Sequence, residues 1–218
     1  MMVEIDRWME EFLQKLRDIF ANRIEFVGLQ GSYARQEATD SSDIDVVVIL
    51  DELNTEDLIA YKTMLDTLSN RDLICGFLSG KKELLHWEPS DLFQFYFDTK
   101  PIWGTLDALR PLLDRDAVAR AVKLGVCNLY HACVHNMLHE NRGDFVKDLY
   151  KSAVFTIQAI HYQKTGEYVR SHKELLGVVG GKEREIVRIS LELKSGGHVD
   201  FAAMSEMLFI WAKERLAA

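Results

Sequence analysis

The sequence predicts an α+β protein: an N-terminal mixed β-sheet with flanking helices, followed by a C-terminal antiparallel helical bundle. Segments rich in β-branched residues, which suit strands, occur in the first half of the chain. Residues 114–218 contain no good alternating segment and instead carry long stretches of apolar residues at helical spacing. Short loops between such helices are typical of antiparallel bundles. We therefore expect one domain over residues 1–110 and a second over residues 111–218.

The first part of the chain is predicted to begin with a helix. Apolar residues at helical spacing indicate an amphipathic helix over residues 3–21. Strands are expected over residues 24–29, 44–50 and 73–78, with Ser79-Gly80 ending the third, and a helical turn over residues 32–36.

The remaining elements of this part are less regular. Thr55 is the expected N-cap of a helix that runs to about Leu68, since acidic residues fill its first turn. The aromatic-rich segment that begins at Pro89-Ser90 fits either a helix capped by Ser90 or a strand. Residues 100–104 are predicted to form a short edge strand, where proline is tolerated.

Four helices are predicted in the second part, and glycines separate them. Gly166 and Gly196-Gly197 are expected stops, because glycine commonly ends helices. The helical segments cover residues 116–139, 145–165, 182–193 and 201–216.

Composition limits the classes of function. With 218 residues and 48% hydrophobic residues, the chain can bury a proper core. A net charge of −8 argues against a general nucleic-acid binder, which needs a basic face. The three cysteines match no zinc or redox spacing, and no apolar stretch is long enough to span a bilayer. We therefore expect a cytoplasmic protein without a membrane partner.

The most informative segment joins the first two predicted strands. Gly31-Ser32 forms a turn after an apolar stretch, and Asp43 and Asp45 open a run of β-branched residues. Residues two apart in a strand point to the same face, so the two carboxylates should lie together. Paired carboxylates repel each other unless a cation lies between them, and their oxygens suit Mg²⁺. Backbone N–H groups of the turn can hold phosphate oxygens.

These residues resemble the signature of the polymerase-beta-like nucleotidyltransferase superfamily, in which Gly-Ser is followed by Asp-x-Asp on a strand. The segment is most similar to bacterial aminoglycoside and minimal nucleotidyltransferases, which often carry Gly-Ser-x-Ala-Arg-Gly. Here Gly31-Ser32-Tyr33-Ala34-Arg35 is followed by Gln36 where glycine is usual.

The resemblance implies transfer of a nucleoside monophosphate, as AMP from ATP or another nucleoside triphosphate, to a hydroxyl of a small-molecule acceptor. Two Mg²⁺ ions would assist the displacement. Two alternatives remain open: a protein-modifying adenylyltransferase of the antitoxin kind, and a catalytically silent nucleotide sensor. The acceptor and the base preference are undetermined, and a homo-oligomer is compatible with the sequence.

The resemblance also implies a third carboxylate from a neighbouring strand. The expected strand has no acid inside it, so Asp72 at its entrance is the first candidate and Asp98 the second. Arg35 could meet a phosphate oxygen, and Lys151 could reach the triphosphate across a cleft between the domains.

The helical half has weaker signals. It loosely resembles HEPN-type bundles, whose ribonuclease members need a catalytic arginine four to six residues before a histidine. No arginine of this chain has that spacing, so we expect a substrate-shaping cap and no nuclease. The resemblance to the aminoglycoside enzymes implies that a carboxylate of the helical domain activates the acceptor, and Glu140 and Asp144 are equal candidates. His131, His135 and His139 share one helical face, and a polar seam is a more common outcome of that spacing than a metal site.

Overall fold

A computed structural model describes residues 2–40 and 42–217 of the chain. The chain divides into two compact units, Met1–Leu112 and Leu113–Ala218. The first unit contains a β-sheet with helices, and the second is helical throughout its described residues. The predicted α+β fold class is therefore confirmed.

The sheet of the first unit has four strands in the order β3-β2-β1-β4. Strands β2 and β3 run parallel, whereas β1 is antiparallel to both of its neighbours, so the sheet is mixed as predicted. The strands are β1 (Ile24–Leu29), β2 (Ile44–Leu50), β3 (Ile74–Gly80) and β4 (Lys100–Gly104). Strand β3 includes the Ser79-Gly80 pair that was expected to end it, because both residues continue the parallel pairing with β2.

Five helices accompany the sheet. They are α1 (Ile5–Phe20), α2 (Gly31–Ala34), α3 (Thr55–Leu65), α4 (Lys81–Leu85) and α5 (Pro89–Asp98). The N-cap of α3 is Asn54 and not Thr55, since the Asn54 side chain accepts from the Asp57 N–H and completes a capping box. The undecided aromatic segment is helix α5, which Glu88 caps and which starts with proline at its first position.

The two faces of the sheet differ in chemistry. One face packs Ile44, Val46 and Val48 of β2 into an apolar core with Phe12 and Leu16 of α1. The opposite face is formed by the residues that alternate with these. It carries Asp45 and Val47 of β2 beside Cys75 and Phe77 of β3, which are their partners in the parallel register.

The second unit consists of five helices. They are α6 (Arg115–His135), α7 (Gly143–Thr165), α8 (His172–Val178), α9 (Gly181–Lys194) and α10 (Phe201–Ala217). The helix predicted to reach residue 139 ends at His135 and continues as a π-helical turn over Asn136–Glu140. Helix α8 had no counterpart among the predicted elements. No strand occurs among the described residues of this unit.

Helix α7 is the centre of the second unit's core. Its Tyr150, Val154 and Ile157 are fully buried and belong to one apolar cluster with Trp211 of α10. Asn136 fixes the connection from α6 to α7, because its side chain both accepts from the Arg142 N–H and donates to the Arg142 carbonyl. Among the helices of residues 2–40 and 42–217, none combines the length and apolarity that crossing a membrane requires.

Candidate functional site

The C-terminal end of β1 and the N-terminal ends of β2 and β3 meet at one end of the sheet. Strand β1 ends where β2 begins, because the two are antiparallel and Leu29 pairs with Val46. Strand β3 begins at the same end, with Cys75 in register with Asp45. The Gln30 N–H donates to the Asp45 carbonyl oxygen at 2.8 Å, so the turn after β1 is tied to the start of β2. The Gly-Ser turn and Asp45, the second acid of the Asp-x-Asp pair, are therefore brought together.

Gly31 lies directly against the Asp45 carboxylate. Its backbone has φ of 65°, a left-handed conformation that glycine adopts without steric cost. A Cβ atom built at this position would overlap Asp45 Oδ2 and lie 3.0 Å from Cγ. No side chain fits between the turn and the acid, so a small group bound at this carboxylate can also approach the backbone of the turn.

The two aspartates differ in exposure. Asp43 immediately precedes β2 and is exposed, whereas Asp45 is the second residue of the strand and is half-buried. Within residues 2–40 and 42–217, the Asp43 carboxylate has no ion pair with a basic group. Mg²⁺ in proteins is commonly held by one or two carboxylates together with substrate phosphates. The oxygen donors of Asp43 and Asp45 fit that pattern.

Ser32 is half-buried in the turn. Its carbonyl oxygen accepts from the Glu37 N–H at 2.8 Å, which closes the turn. Its hydroxyl makes no hydrogen bond to any described residue, so it can donate to a bound anion.

The C-terminal end of α5 and Thr99, which follows it, form hydrogen bonds with residues of the Gly-Ser turn. Gln30 Nε2 donates to Thr99 Oγ1 at 2.7 Å, and Arg35 Nη1 donates to Asp98 Oδ2 at 2.8 Å. The Arg35 and Asp98 side chains are both buried, and Arg35 Nε also lies 3.6 Å from a buried Glu37 carboxylate oxygen. This geometry favours a structural role for Arg35 over contact with a phosphate. It also gives Asp98 a buried cationic partner, which disfavours the alternative that Asp98 ligates a metal.

Among the described residues, Asp43, Asp45 and Asp72 do not form a group of three that could hold a metal ion. Asp72 is exposed in a short helical turn over Arg71–Leu73, before β3 begins. The described residues contain no group of three or more His, Cys, Asp or Glu side chains that could hold a metal ion. The residue beside Asp45 on β3 is Cys75, an exposed free thiol. His131, His135 and His139 belong to no such group within the described residues.

The remaining predicted residues lie in the second unit. Lys151 is exposed on α7, and its contact with nucleotide stays a prediction. Glu140 and Asp144 both pair with Arg142. The hydrogen bond from the Arg142 guanidinium holds the pKa of Asp144 below its ordinary value, which makes this carboxylate a weaker base.

Sequence reasoning missed the residues that flank Asp45 on β3. Cys75 and Phe77 alternate as a strand requires, but a single sequence does not reveal which strand pairs with β2 or in which register. Phe77 packs edge-on against Trp87 and Phe95, at ring-centroid distances of 5.5 Å and 5.0 Å. The aromatic richness of residues 87–97 was the available signal for this cluster.

Comparison with known proteins identifies the family. A family model described as polymerase beta nucleotidyltransferase matches residues 14–88, a segment that contains β1, the Gly-Ser turn, β2 and β3. Residues 14–88 therefore form a domain of the polymerase-beta-like nucleotidyltransferase superfamily. This nucleotidyltransferase is an enzyme of the adenylyltransferase-like type, as the sequence predicted.

Two relatives extend this assignment. The nucleotidyltransferase is 25% identical over 132 residues to a Methanocaldococcus jannaschii chain named "putative protein adenylyltransferase", covering 49% of this chain and 82% of the relative. Its fold is similar to that of the spectinomycin adenyltransferase AAD(9) from Enterococcus faecialis, solved with ATP and spectinomycin. That likeness has a TM-score of 0.61 at 15% identity and covers 98% of this chain and 99% of the other.

Proposed function

We propose that this nucleotidyltransferase transfers AMP from ATP to a hydroxyl group of a small-molecule acceptor, with Asp43 and Asp45 holding Mg²⁺. The observation that carries the proposal is the packing of Asp45 against Gly31, beside an exposed Asp43 that has no ion pair among the described residues. Two carboxylates close together repel each other unless a cation lies between them. A turn with no side chain at its first residue lets phosphate oxygens reach the same place.

The chemistry is an in-line displacement at the α-phosphorus. The acceptor oxygen forms a new bond to this phosphorus, the bond to the β-phosphate oxygen breaks, pyrophosphate leaves, and the acceptor hydroxyl gives up its proton. When bound, Mg²⁺ would neutralise charge on the phosphate oxygens. Gly31 and Ser32 would hold the β- and γ-phosphates through backbone N–H groups and the Ser32 hydroxyl.

The number of metal ions remains part of the proposal. Two acidic residues and the triphosphate are sufficient ligands for one Mg²⁺. A second ion would need a further ligand, and within residues 2–40 and 42–217 no third acidic residue joins Asp43 and Asp45. We therefore propose one Mg²⁺ between these two aspartates and keep Asp72 as the residue to test for a second.

A small-molecule acceptor is the first class to assay. The adenyltransferase with the similar fold was solved with spectinomycin and ATP, and the likeness extends over nearly the whole chain. We propose spectinomycin and related ring alcohols as the first compounds to test, with Lys151 as a further phosphate contact to examine by Lys151→Met.

The proposal is tested by pyrophosphate release from ATP in the presence of Mg²⁺ and an acceptor panel. Asp43→Asn and Asp45→Asn should each lower the rate by about a thousandfold, the loss typical of removing one electrostatic contact to a transition state. The matched control is Asp66→Asn, an exposed aspartate paired with Arg71, which should leave the rate unchanged. An Asp45→Asn enzyme that turns over like the wild type would contradict the proposal.

A second candidate function is adenylylation of a protein. The observation that favours it is the relative from Methanocaldococcus jannaschii, whose name describes a protein adenylyltransferase. Transfer of α-³²P label distinguishes the two candidates when small alcohols and a folded test protein rich in exposed tyrosine and serine are offered together. Label that enters the protein alone would favour this second function over the first.

A further inference from the structure

An aromatic cluster lies on the same sheet face as Asp45. We use this term for Phe77 of β3, Trp87 after α4, and Phe95 of α5, whose rings meet edge-on. Trp87 remains 44% exposed despite this packing. Large aromatic side chains that stay exposed beside a polar site commonly contact ligands.

The register of the sheet fixes where the cluster lies. Asp45 pairs with Cys75, and Phe77 is two residues further along β3, so Asp45, Cys75 and Phe77 point to one face. Two residues of a strand span about 7 Å, which is close to the width of one sugar or aromatic ring. The cluster is therefore one ring's width along β3 from the thiol beside Asp45.

The Gly-Ser turn lies on the other side of Asp45. It follows β1, and in the strand order β3-β2-β1-β4 the strands β1 and β3 flank β2 from opposite sides. Under the proposed function, on which this inference rests, the turn holds the β- and γ-phosphates. The leaving pyrophosphate is then on the β1 side of the α-phosphorus.

In-line displacement requires the attacking and leaving oxygens on opposite sides of the phosphorus. The acceptor hydroxyl must therefore approach from the β3 side, where Cys75 and the aromatic cluster lie. A hydroxyl carried on a ring with an apolar face can be positioned there by stacking on Trp87. A hydroxyl on a short acyclic chain offers no such surface.

We propose that the aromatic cluster is the acceptor subsite and that it selects acceptors whose hydroxyl is attached to a ring, such as a cyclitol, a sugar or a phenol. Trp87 supplies the exposed stacking surface, Phe77 packs edge-on against its ring, and Phe95 packs in turn against Phe77. Trp87 is thus a specificity-determining residue that acts on the acceptor and has no role in binding ATP.

The test compares two classes of acceptor by pyrophosphate release from Mg·ATP. The ring probes are 2-deoxystreptamine, methyl α-D-glucoside and N-acetyltyrosinamide, and the acyclic probes are glycerol and N-acetylserinamide. The variants are Trp87→Ala and Trp87→Phe, in the full chain. The matched control is Trp103→Ala, because Trp103 is equally exposed at 48% but lies on β4, at the opposite edge of the sheet.

We expect at least one ring probe to stimulate release about tenfold more than either acyclic probe. Trp87→Ala should raise the KM for that probe about tenfold, which is the size of effect expected from losing one aromatic contact and the apolar area that it buries. Trp87→Phe keeps an aromatic ring and should bring the KM most of the way back to the wild-type value. The Kd of the protein for a non-hydrolysable ATP analogue in the presence of Mg²⁺, measured by calorimetry, should change by less than about twofold in both Trp87 variants. Trp103→Ala should alter neither quantity.

Three results would overturn the inference: acyclic probes that serve as well as ring probes, no ring probe accepted by an enzyme that binds Mg·ATP, or a Trp87→Ala KM equal to that of Trp103→Ala. Failure of the proposed function has a different signature. In that case the ATP analogue fails to bind, or Asp45→Asn leaves pyrophosphate release unchanged.

Discussion

The two faces of the sheet in the first unit are built for different purposes. On one face, Ile44, Val46 and Val48 are buried against α1, and every inward side chain of β2 is apolar. On the other face, the same strand presents Asp45 beside the Cys75 thiol, with α5 and the aromatic cluster completing the surface. The apolar face stabilises the fold, whereas the opposite face carries polar side chains at the start of β2.

A second contrast separates two carboxylates of the first unit, Asp98 and Asp43. Asp98 on α5 is buried and receives a hydrogen bond from the Arg35 guanidinium. Asp43, at the start of β2, is exposed and has no ion pair among the described residues. The Asp98 carboxylate, which serves the fold, is matched with a cation inside the protein, whereas under the proposed function Asp43 would bind a cation from solution.

The largest expected effect comes from separating the buried pair. Arg35→Met should lower the free energy of unfolding by about 3–5 kcal/mol, because it leaves Asp98 charged and buried without its partner. The double variant Arg35→Met/Asp98→Leu should recover much of that loss. Urea denaturation followed by circular dichroism measures both.

A conservative variant, Arg35→Lys, tests whether Arg35 instead contacts phosphate. Arg35→Lys should leave the Kd for Mg²⁺ with an ATP analogue unchanged if the role is structural. A large loss of nucleotide affinity without a loss of stability would restore the sequence-based prediction that Arg35 binds the triphosphate.

A substitution in the apolar face should act on stability alone. Leu16→Ala removes a side chain that is fully buried under the sheet, and should cost about 2–5 kcal/mol. The calorimetric Kd for Mg·ATP analogue should match the wild type at a temperature where the variant is folded. A parallel loss of affinity would show that the two faces are not independent.

A substitution in the Gly-Ser turn should instead lower nucleotide affinity. Gly31→Ala places a methyl group against the Asp45 carboxylate and strains a left-handed backbone, so nucleotide affinity should fall about a hundredfold. The control is Gly177→Ala, since Gly177 lies in α8 of the second unit, has no atoms within 4 Å of an added Cβ, and should change no binding property. Equal affinities for the two variants would contradict the role of the turn.

The smallest expected effect is a difference in alkylation rate between two cysteine thiols, Cys75 and Cys133. Cys75 is exposed on the site face, whereas burial raises the pKa of Cys133 to about 11. Because the thiolate is the reactive form, alkylation of Cys133 should be slow at pH 8 and should rise about tenfold per pH unit until the pH approaches that pKa. Cys75 should react first, and Mg·ATP analogue should slow its alkylation about tenfold by covering the face.

Mass spectrometry of tryptic peptides follows both cysteines in the same sample, so Cys133 serves as the internal control. Nucleotide that protects Cys133 and not Cys75 would contradict the assignment of the site face.

Sequence reasoning reached the elements whose signals are local. The bounds of β2 and β4 were predicted as observed, because a run of β-branched residues between acids and a short segment after Thr99 leave little choice. Gly31, Ser32, Asp43 and Asp45 were predicted as site residues because their spacing is itself the signal. Helix α8 was missed although Ser171 and Glu174 provide a capping pair, in which the Ser171 side chain accepts from the Glu174 N–H.

What sequence reasoning did not reach depends on long-range pairing. The aromatic residues of α5 suit both strands and helices, so their pattern alone did not decide, although Glu88 and Pro89 mark a helix start. The sequence analysis expected a third acid from the strand beside Asp45, but the residue paired with Asp45 on β3 is Cys75. This pairing depends on strand register, which no local sequence pattern reveals.

The most direct test of the central claim is the dependence of nucleotide binding on Mg²⁺ and on Asp45. Calorimetry with a non-hydrolysable ATP analogue should give binding by the wild type only when Mg²⁺ is present. Asp43→Asn and Asp45→Asn should each weaken that binding about a hundredfold, while Asp66→Asn binds like the wild type. An Asp45→Asn protein that binds the analogue with wild-type affinity in Mg²⁺ would contradict the account.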